Sequence, residues 1–393
     1  MDKKQKHALA AIRTRIEEDP SHHLAGPFLP QTPLRSRSPT SPQPPSDLRP
    51  VSPWLRWAIH PPSALTLLLL PVVLFSNWHL LAPVLAPSLP NPFAPFFLLS
   101  GRIPSSSPHD PRYAKSYFDL LFITYYVIFW SFVRQALTIY VSRPIARYFG
   151  IRKPAKVDRF GEQTYALFYF AAFGLWGFRV MSQLPTYWYN TKYFWIDYPH
   201  WDMNPELKRY YLMQSAYWCQ QLLVLLLGLE KPRKDYAELV AHHFVTLWLV
   251  GWSYLINLTL IGNAVFMSMD IPDTFLAFSK ILNYIQWNRA KIYAFVLFMF
   301  VWTYFRHWLN LEILWSVWFE FDLIPDSAKQ WKKEDGVYLV HWMRYQVFAP
   351  LVLLQLLNLF WYYLMCRILV RAVQTHNADD ERSDDEGDDK KEK

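Results

Sequence analysis

Long apolar segments constrain the fold of this chain more than any other feature of its sequence. Between residues 63 and 370 the apolar residues form runs of about twenty, the length that an α-helix needs to cross ~30 Å of hydrocarbon. The chain is 52% hydrophobic and 18% aromatic. The sequence therefore predicts an all-α polytopic membrane protein. Both cysteines, Cys219 and Cys366, lie inside apolar runs, so no disulfide framework is indicated.

Eight transmembrane spans are expected. Their approximate ranges are 63–83, 117–140, 163–184, 207–228, 237–256, 259–281, 290–309 and 347–370. Pro71 and Pro83 are expected to interrupt or end the first span, because proline removes a helical hydrogen bond. Residues 1–55 are expected to form a disordered cytosolic head, residues 56–150 to hold the first two spans, and residues 373–393 to form an acidic cytosolic tail.

Basic residues cluster in alternate loops between these spans. They are Arg143, Arg147, Arg152, Lys153, Lys156, Arg159, Lys231, Arg233, Lys234, Arg289 and Lys291. Short loops rich in lysine and arginine face the cytosol, so these loops share one side if both termini are cytosolic. The aromatic, acid-leaning stretch "TYWYNTKYFWIDYPHWD" fits the opposite, lumenal side.

Four ionisable side chains interrupt two consecutive spans. His242 and His243 lie on the order of 10 Å inward from the start of the fifth span, and Asp273 roughly 13 Å inward from the end of the sixth. Asp270 precedes Asp273 by three residues, so the two carboxylates share a helix face. Because such groups are costly inside a membrane, this set is the candidate catalytic site. We expect imidazole and carboxylate to meet at one level, with Pro272 kinking the helix beside a cavity.

Three other interpretations of these residues stay open. A buried histidine bonded to a carboxylate can serve for packing alone. Imidazole and carboxylate are also good metal ligands, but membrane di-iron enzymes need many clustered histidines, and only His307 is otherwise near a span, so no metal is expected. A proton-coupled transporter uses similar residues, but the sequence contains no visible internal repeat.

Acyl transfer to a lipid is the chemistry that suits this set. A neutral imidazole can take a proton from an attacking amine or hydroxyl, or can itself attack a thioester, while a carboxylate orients it. A basic mouth on the cytosolic side would hold a phosphate-rich carrier such as coenzyme A. The candidate residues of this mouth are Lys231, Arg233, Lys234, Lys280, Asn283, Arg289 and Lys291. The positive bias of cytosolic loops explains the basic ones equally well.

The sequence around the paired histidines resembles a known motif. "LEKPRKDYAELVAHHFVTLWLVGWSYLINLTLIGNAVFMSMDIPDTFLAFSKILNY" is similar to the longevity-assurance motif of ceramide synthases, within the TLC domain. The K-P-R-K-D segment, the paired histidines, M-D-x-x-D and K-x-x-N-Y occur in order without gaps. The resemblance is to the fungal branch and covers roughly residues 156–372, the expected TLC domain.

This resemblance implies a specific activity and architecture. The implied reaction is N-acylation of a sphingoid base by acyl-CoA in the endoplasmic reticulum, with a very long acyl chain and no cofactor. The resemblance places the catalytic histidines on His242 and His243 and the acidic pair on Asp270 and Asp273. It also implies a barrel of six helices around an acyl tunnel, with chain-length choice near residues 310–346.

The resemblance leaves mechanism and partners open. Either a histidine acts as general base for direct attack on the thioester, or a histidine is first acylated. A small single-pass accessory subunit and a homodimer or a heterodimer with a paralogue are implied partners, and no nucleic acid is expected. Relatives in the same superfamily include lipid-sensing and translocon-associated proteins, so a non-catalytic role is one alternative function. Acyl transfer to a different lipid acceptor is a second alternative.

Short motifs mark both tails. Thr40 in the head fits a basophilic kinase site, and Ser383 in the acidic tail fits an acid-directed kinase site. Phosphate at either position would add negative charge near the membrane surface. Residues 390–393 have the K-K-x-x form of an endoplasmic-reticulum retrieval signal. Such a signal is recognised only if this terminus is cytosolic.

Overall fold

The structure, a computed structural model, describes most of the chain between the two tails. The described residues are 53–85, 88–230 and 235–375. Within them the chain consists of helices and loops, and pairing between extended segments is limited to isolated bridges. The predicted all-α fold class is confirmed. Thr40, Ser383 and the 390–393 signal lie outside the described residues, and so does most of the predicted head and tail.

Eight long helices follow one another along the described chain. We number them α1 Pro61–Leu85, α2 Asp119–Tyr148, α3 Pro154–Ser182, α4 Pro205–Leu226, α5 Tyr236–Leu255, α6 Thr259–Tyr284, α7 Asn288–Phe319 and α8 Met343–Thr375. α2 and α7 each contain a π-helical turn, at Leu137–Ser142 and Thr303–Leu309. Short 3₁₀ turns occupy the connecting segments Pro53–Ala58, Ala94–Phe96, Tyr187–Tyr189, Thr191–Phe194, Phe321–Leu323 and Asp326–Ala328.

Each of the eight predicted spans overlaps one of these helices. Four of the helices, α1, α2, α7 and α8, are long and apolar enough to cross a membrane by length and composition. The chain is therefore a multi-pass membrane protein, while the number of spans stays a prediction. Two expectations were wrong. Pro71 and Pro83 lie inside α1 rather than ending it, and α7 continues past 309 to Phe319.

Helix starts and close contacts follow from identifiable residues. α4 begins at Pro205, whose missing N–H costs nothing at a first helical position, and the Asn204 side chain caps it by accepting the Leu207 N–H at 2.6 Å. α3 packs against α4 at Gly177, where an added Cβ would lie 2.7 Å from the Tyr210 hydroxyl oxygen. The absence of a side chain at this position lets the two helices approach.

A ladder of buried amides joins α7 to α8. Asn310 Nδ2 donates to Gln355 Oε1 at 2.6 Å, and Gln355 Nε2 donates to His307 Nδ1 at 2.8 Å. One turn further along α8, Asn358 Oδ1 accepts from Arg306 at 3.0 Å. Interhelical hydrogen bonds of this kind stabilise helix pairs in apolar surroundings.

A buried ion pair fixes the start of α4. The Lys208 ammonium lies 2.8 Å from Asp119 Oδ1 at the start of α2. It also donates to the backbone carbonyls of Ser100 and Ala114 at 2.8 and 2.7 Å. Asp119 Oδ2 in turn accepts from the hydroxyl of Tyr254 near the end of α5 at 2.8 Å. The pair therefore ties the segment before α2 to α4 and α5.

Candidate active site

A cavity of about 880 Å³ lies inside the bundle formed by α3 to α8. All six of these helices contribute to its wall, as the predicted barrel requires. Exposed loop residues Gly150, Gly228 and Gln286 line one end of the cavity, and the buried Trp302 and Arg306 line the other. The cavity therefore opens between the loops that precede α3, α5 and α7 and ends deep among the helices.

Basic side chains line the open end of the cavity. They are Arg152, Lys153, Lys156, Arg159 and Lys280. Of the predicted carrier-binding residues, Lys280 and Asn283 lie on the wall, and Lys291 donates to Asn283 Oδ1 at 3.0 Å from outside it. Arg289 is exposed and is not a lining residue. Lys231, Arg233 and Lys234 lie outside the described residues.

Four basic residues just before α3 and in its first two turns were predicted to set orientation only. The structure places Arg152, Lys153, Lys156 and Arg159 on the cavity wall, next to two carboxylates that share it. Arg159 pairs with Glu162 at 2.9 Å, and Arg134 pairs with Glu230 at 2.8 Å. The sequence did hold a signal for this position, because these residues and the K-P-R-K-D segment both lie in loops predicted to face the cytosol.

His242 and His243 both lie on the wall of the cavity, as predicted. The His243 Nδ1 donates to the backbone carbonyl of Leu239 at 2.8 Å. A carbonyl only accepts, so in the neutral ring this bond fixes the proton on Nδ1 and leaves the lone pair on Nε2. The orientation of the His243 ring is therefore set by its own helix.

The His242 ring lies between two tryptophans. Its centroid is 5.6 Å from that of Trp218 and 5.4 Å from that of Trp361, and both pairs meet edge to face. Its Nε2 lies 3.5 Å from the Thr246 hydroxyl, while its Nδ1 is buried with no hydrogen-bond partner. A buried imidazole with an unused nitrogen at a cavity wall is a group that a substrate can engage.

The two carboxylates of α6 diverge. Three residues correspond to about 300° of helix rotation, so the side chains point roughly 60° apart. Asp273 lies on the cavity wall and pairs with Arg306 at 2.7 Å. Asp270 is fully buried outside the set of lining residues and accepts from Gln214 Nε2 at 2.5 Å. The structure thus brings His242, His243 and Asp273 to one cavity, and the catalytic roles of all four stay predictions.

Arg306 is a further wall residue that was not predicted from the sequence. It lies in the π-helical turn of α7, 3% exposed, inside a predicted span. Like the histidines and aspartates, Arg306 is an ionisable residue within a predicted span, where an arginine is as costly as a carboxylate. The pairing of histidine with aspartate, on which the predicted site was based, does not include an arginine.

A narrow apolar space of about 50 Å³, the apolar channel, adjoins the cavity. Its lining includes Thr246, Leu249, Val250, Ile256, Val265, Phe266, Met269, Leu351 and Leu354. Between His242 and Ile256 it follows α5 for ~21 Å at the helical rise. Trp218, His242 and Arg306 line both the cavity and the channel. These three residues therefore mark the junction between a cavity that carries basic and acidic wall residues and a space that is almost wholly apolar.

The fold and the site define this protein as a polytopic membrane protein whose helices enclose a cavity lined by ionisable side chains. Residues 159–367 match the TLC domain. The sphingosine N-acyltransferase lac1 of Schizosaccharomyces pombe is 42% identical over 307 residues, which cover 76% of each chain. The ceramide synthase LAG1 of Saccharomyces cerevisiae is 38% identical over 308 residues, covering 76% of this chain and 71% of that protein. The chain belongs to the TLC-domain family, in its ceramide synthase group, and is an acyltransferase.

The alternative of a non-catalytic family member is not favoured by these relatives. A third one, the sphingosine N-acyltransferase-like protein FUM17 of Gibberella moniliformis, is 38% identical over 274 residues and covers 70% of each chain.

Among the residues described here, three or more His, Cys, Asp or Glu side chains do not gather anywhere in a metal-binding arrangement.

Proposed function

We propose that this protein transfers a fatty acyl group from acyl-CoA to the amine of a sphingoid base, giving a ceramide. The observation that carries the proposal is the junction at Trp218, His242 and Arg306, where a basic polar cavity meets an apolar channel. An acyl-CoA has the same polarity profile, with a phosphate-rich carrier on one side of its thioester and a hydrocarbon chain on the other. The names of the relatives support the same reaction.

The proposed pose follows from this match. Lys153, Lys156 and Lys280 hold the phosphates near the open end, since lysine is a common phosphate ligand. The acyl chain enters the apolar channel, and the thioester lies at the junction. The cavity volume of about 880 Å³ is within the range of small-molecule sites and leaves room for the head of the acceptor.

The two histidines take different tasks in this proposal. His242 lies on both the cavity and the channel, so it contacts the thioester. His243 lies on the polar cavity only, and its Nε2 lone pair accepts the proton of the attacking amine. The amine nitrogen bonds to the carbonyl carbon, the carbon–sulfur bond breaks, and the proton passes from His243 to the coenzyme A thiolate.

Activity of purified variants tests the assignment. His242→Ala and His243→Ala are each expected to lose ceramide formation from sphinganine and acyl-CoA while expressing normally. His341→Ala is the matched control, because His341 is exposed in the segment before α8 and lies outside both cavities. Substantial turnover in both cavity variants would contradict the catalytic assignment.

Intact-protein mass spectrometry separates the two chemical routes. If His242 first attacks the thioester, incubation with acyl-CoA alone adds the mass of one acyl group to the wild-type protein. His242→Ala is expected to lack this adduct. No adduct in the wild type, with normal turnover, indicates direct attack by the amine.

The finer cellular statements also belong to this proposal. The sequence favours the endoplasmic reticulum with both termini cytosolic, since residues 390–393 form a K-K-x-x signal. A fusion that masks these four residues is expected to move the protein out of the endoplasmic reticulum. Use of very-long-chain substrates, a single-pass accessory subunit and dimer formation are proposed on the resemblance to fungal relatives.

A further inference from the structure

The side chain of Arg306 is held in place from several sides. Its Nη1 donates to Asn358 Oδ1 at 3.0 Å and its Nη2 donates to the Met269 carbonyl at 3.1 Å. Asp273 Oδ2 lies 2.7 Å from Nη2, and the guanidinium lies 4.1 Å from the ring centroid of Trp302. A buried cation in apolar surroundings is tolerated when it is paired and hydrogen-bonded in this way.

One donor of this guanidinium is not used by the protein. The Arg306 Nε–H is buried and has no hydrogen-bond partner. A buried polar group without a partner costs free energy, and such groups in native structures usually have a role. The donor belongs to a side chain that is 3% exposed and lies on the wall of both cavities.

The local backbone places Arg306 at the junction. Arg306 lies within the π-helical turn Thr303–Leu309, and π-helical turns in α-helices occur frequently at functional sites. His242 and Trp218 line the same junction from α5 and α4. A thioester carbonyl at the junction is therefore bordered by an imidazole from α5 and a guanidinium from α7.

We propose that Arg306 binds the thioester carbonyl oxygen through Nε–H and stabilises the negative charge that develops there. The inference rests on the proposed acyl transfer. When the nucleophile bonds to the carbonyl carbon, the π electron pair of the C=O bond moves onto oxygen, which then accepts the Arg306 hydrogen bond. When the C=O bond re-forms, the carbon–sulfur bond breaks and the thiolate leaves with the proton delivered by histidine. Arg306 gains and loses no proton.

Fixed donors aimed at a developing oxyanion act through the transition state more than through the ground state. Arg306→Met is therefore expected to lower kcat by about 10²–10³-fold, the usual effect of losing one such donor, with a much smaller change in KM for acyl-CoA. Arg306→Lys keeps the charge but lacks the Nε–H, and we expect a similar loss. Asn358→Leu removes one support of the guanidinium but leaves the Nε–H in place, so we expect a smaller loss of kcat than in either Arg306 variant.

A substrate analogue distinguishes this role from a structural one. In the dithioester analogue of acyl-CoA, sulfur replaces the carbonyl oxygen and is a poorer hydrogen-bond acceptor. The wild-type enzyme is expected to use the oxygen substrate much faster than the analogue, measured as release of coenzyme A. In Arg306→Met and Arg306→Lys this preference should collapse toward the ratio of the uncatalysed reactions, while Asn358→Leu keeps the wild-type ratio.

The outcomes separate the two proposals. If both Arg306 variants keep the wild-type oxygen-to-sulfur ratio, the residue is a structural support and the inference is overturned, however low the rates are. If coenzyme A is released with another amine but not with sphinganine, the proposed acceptor is wrong and the ratio still tests Arg306. If the wild type releases no coenzyme A with any amine, both proposals fail.

Discussion

Removal of the Lys208 ammonium is expected to destabilise the protein strongly. The Lys208 side chain is fully buried and that of Asp119 is 5% exposed. The ammonium contacts the carboxylate and two backbone carbonyls, those of Ser100 and Ala114, all within 2.8 Å. Substitution by methionine keeps most of the length of the side chain and removes the ammonium together with its contacts. The Asp119 carboxylate is then left buried without its cation.

The expected loss in the free energy of unfolding follows from this unpaired, buried carboxylate. Removing one partner of a buried ion pair costs about 3–5 kcal/mol. Asp119→Asn in the same chain removes the orphaned charge, so the double variant should recover about 1 kcal/mol or more of this loss. The Ser116 N–H donates to Asp119 Oδ2 at 2.7 Å, and an asparagine oxygen can keep that bond.

Unfolding in mixed micelles with increasing dodecyl sulfate, followed by circular dichroism, measures the free energy of unfolding. Arg209→Met is the matched control. Arg209 is the next residue on the same helix and is exposed, so its loss is expected to change the free energy by less than about 0.5 kcal/mol. A Lys208→Met variant within about 1 kcal/mol of this control would refute the reasoning, since a buried pair cannot be broken so cheaply.

Two further predictions concern the cavity and the channel. Leu354→Trp should narrow the apolar channel, in which Leu354 is a buried lining residue, and shift product formation toward shorter acyl chains. The larger side chain is expected to destabilise the protein by about 1–3 kcal/mol. Lipid mass spectrometry with acyl-CoAs of increasing length measures the chain lengths of the product, and an unchanged profile would count against the proposed acyl path. Lys153→Glu and Lys156→Glu should raise KM for acyl-CoA, most clearly at low salt because the open end of the cavity is partly solvated. Arg289→Glu is the control and should leave KM unchanged, since Arg289 is exposed and lies outside the cavity wall. A wild-type KM in all three variants would exclude binding of the carrier at the open end of the cavity.

The large features of the fold were predictable because hydrocarbon thickness sets the length of apolar runs. All eight predicted ranges overlap a helix, yet two details were not accessible from the runs. Pro71 and Pro83 stay within α1, since a proline in a long apolar helix removes one hydrogen bond without forcing the helix to end. α7 continues through the π-helical turn Thr303–Leu309 to Phe319, which was not expected because the twenty residues 290–309 already suffice to cross a membrane.

The site was predictable only in part. Ionisable residues in apolar runs identified His242, His243 and Asp273, all of which lie on the cavity. The spacing of Asp270 and Asp273 did not show which of them faces the cavity, because a separation of about 60° depends on how α6 is rotated in the bundle. Arg306 and the lysines at the start of α3 approach the cavity from distant parts of the sequence. Their neighbours were therefore not visible without the fold.

The amide ladder between α7 and α8 has a consequence for motion. It ties Arg306 to Asn358 and, through Gln355, both His307 and Asn310 to the same helix. Sliding one helix past the other by a turn, ~5.4 Å, would break all three hydrogen bonds where no water is at hand to replace them. We therefore expect α7 and α8 to resist sliding past each other. If the cavity widens to admit the lipid of the proposed reaction, we expect the change to come from α3 to α6, or from the loops at its open end.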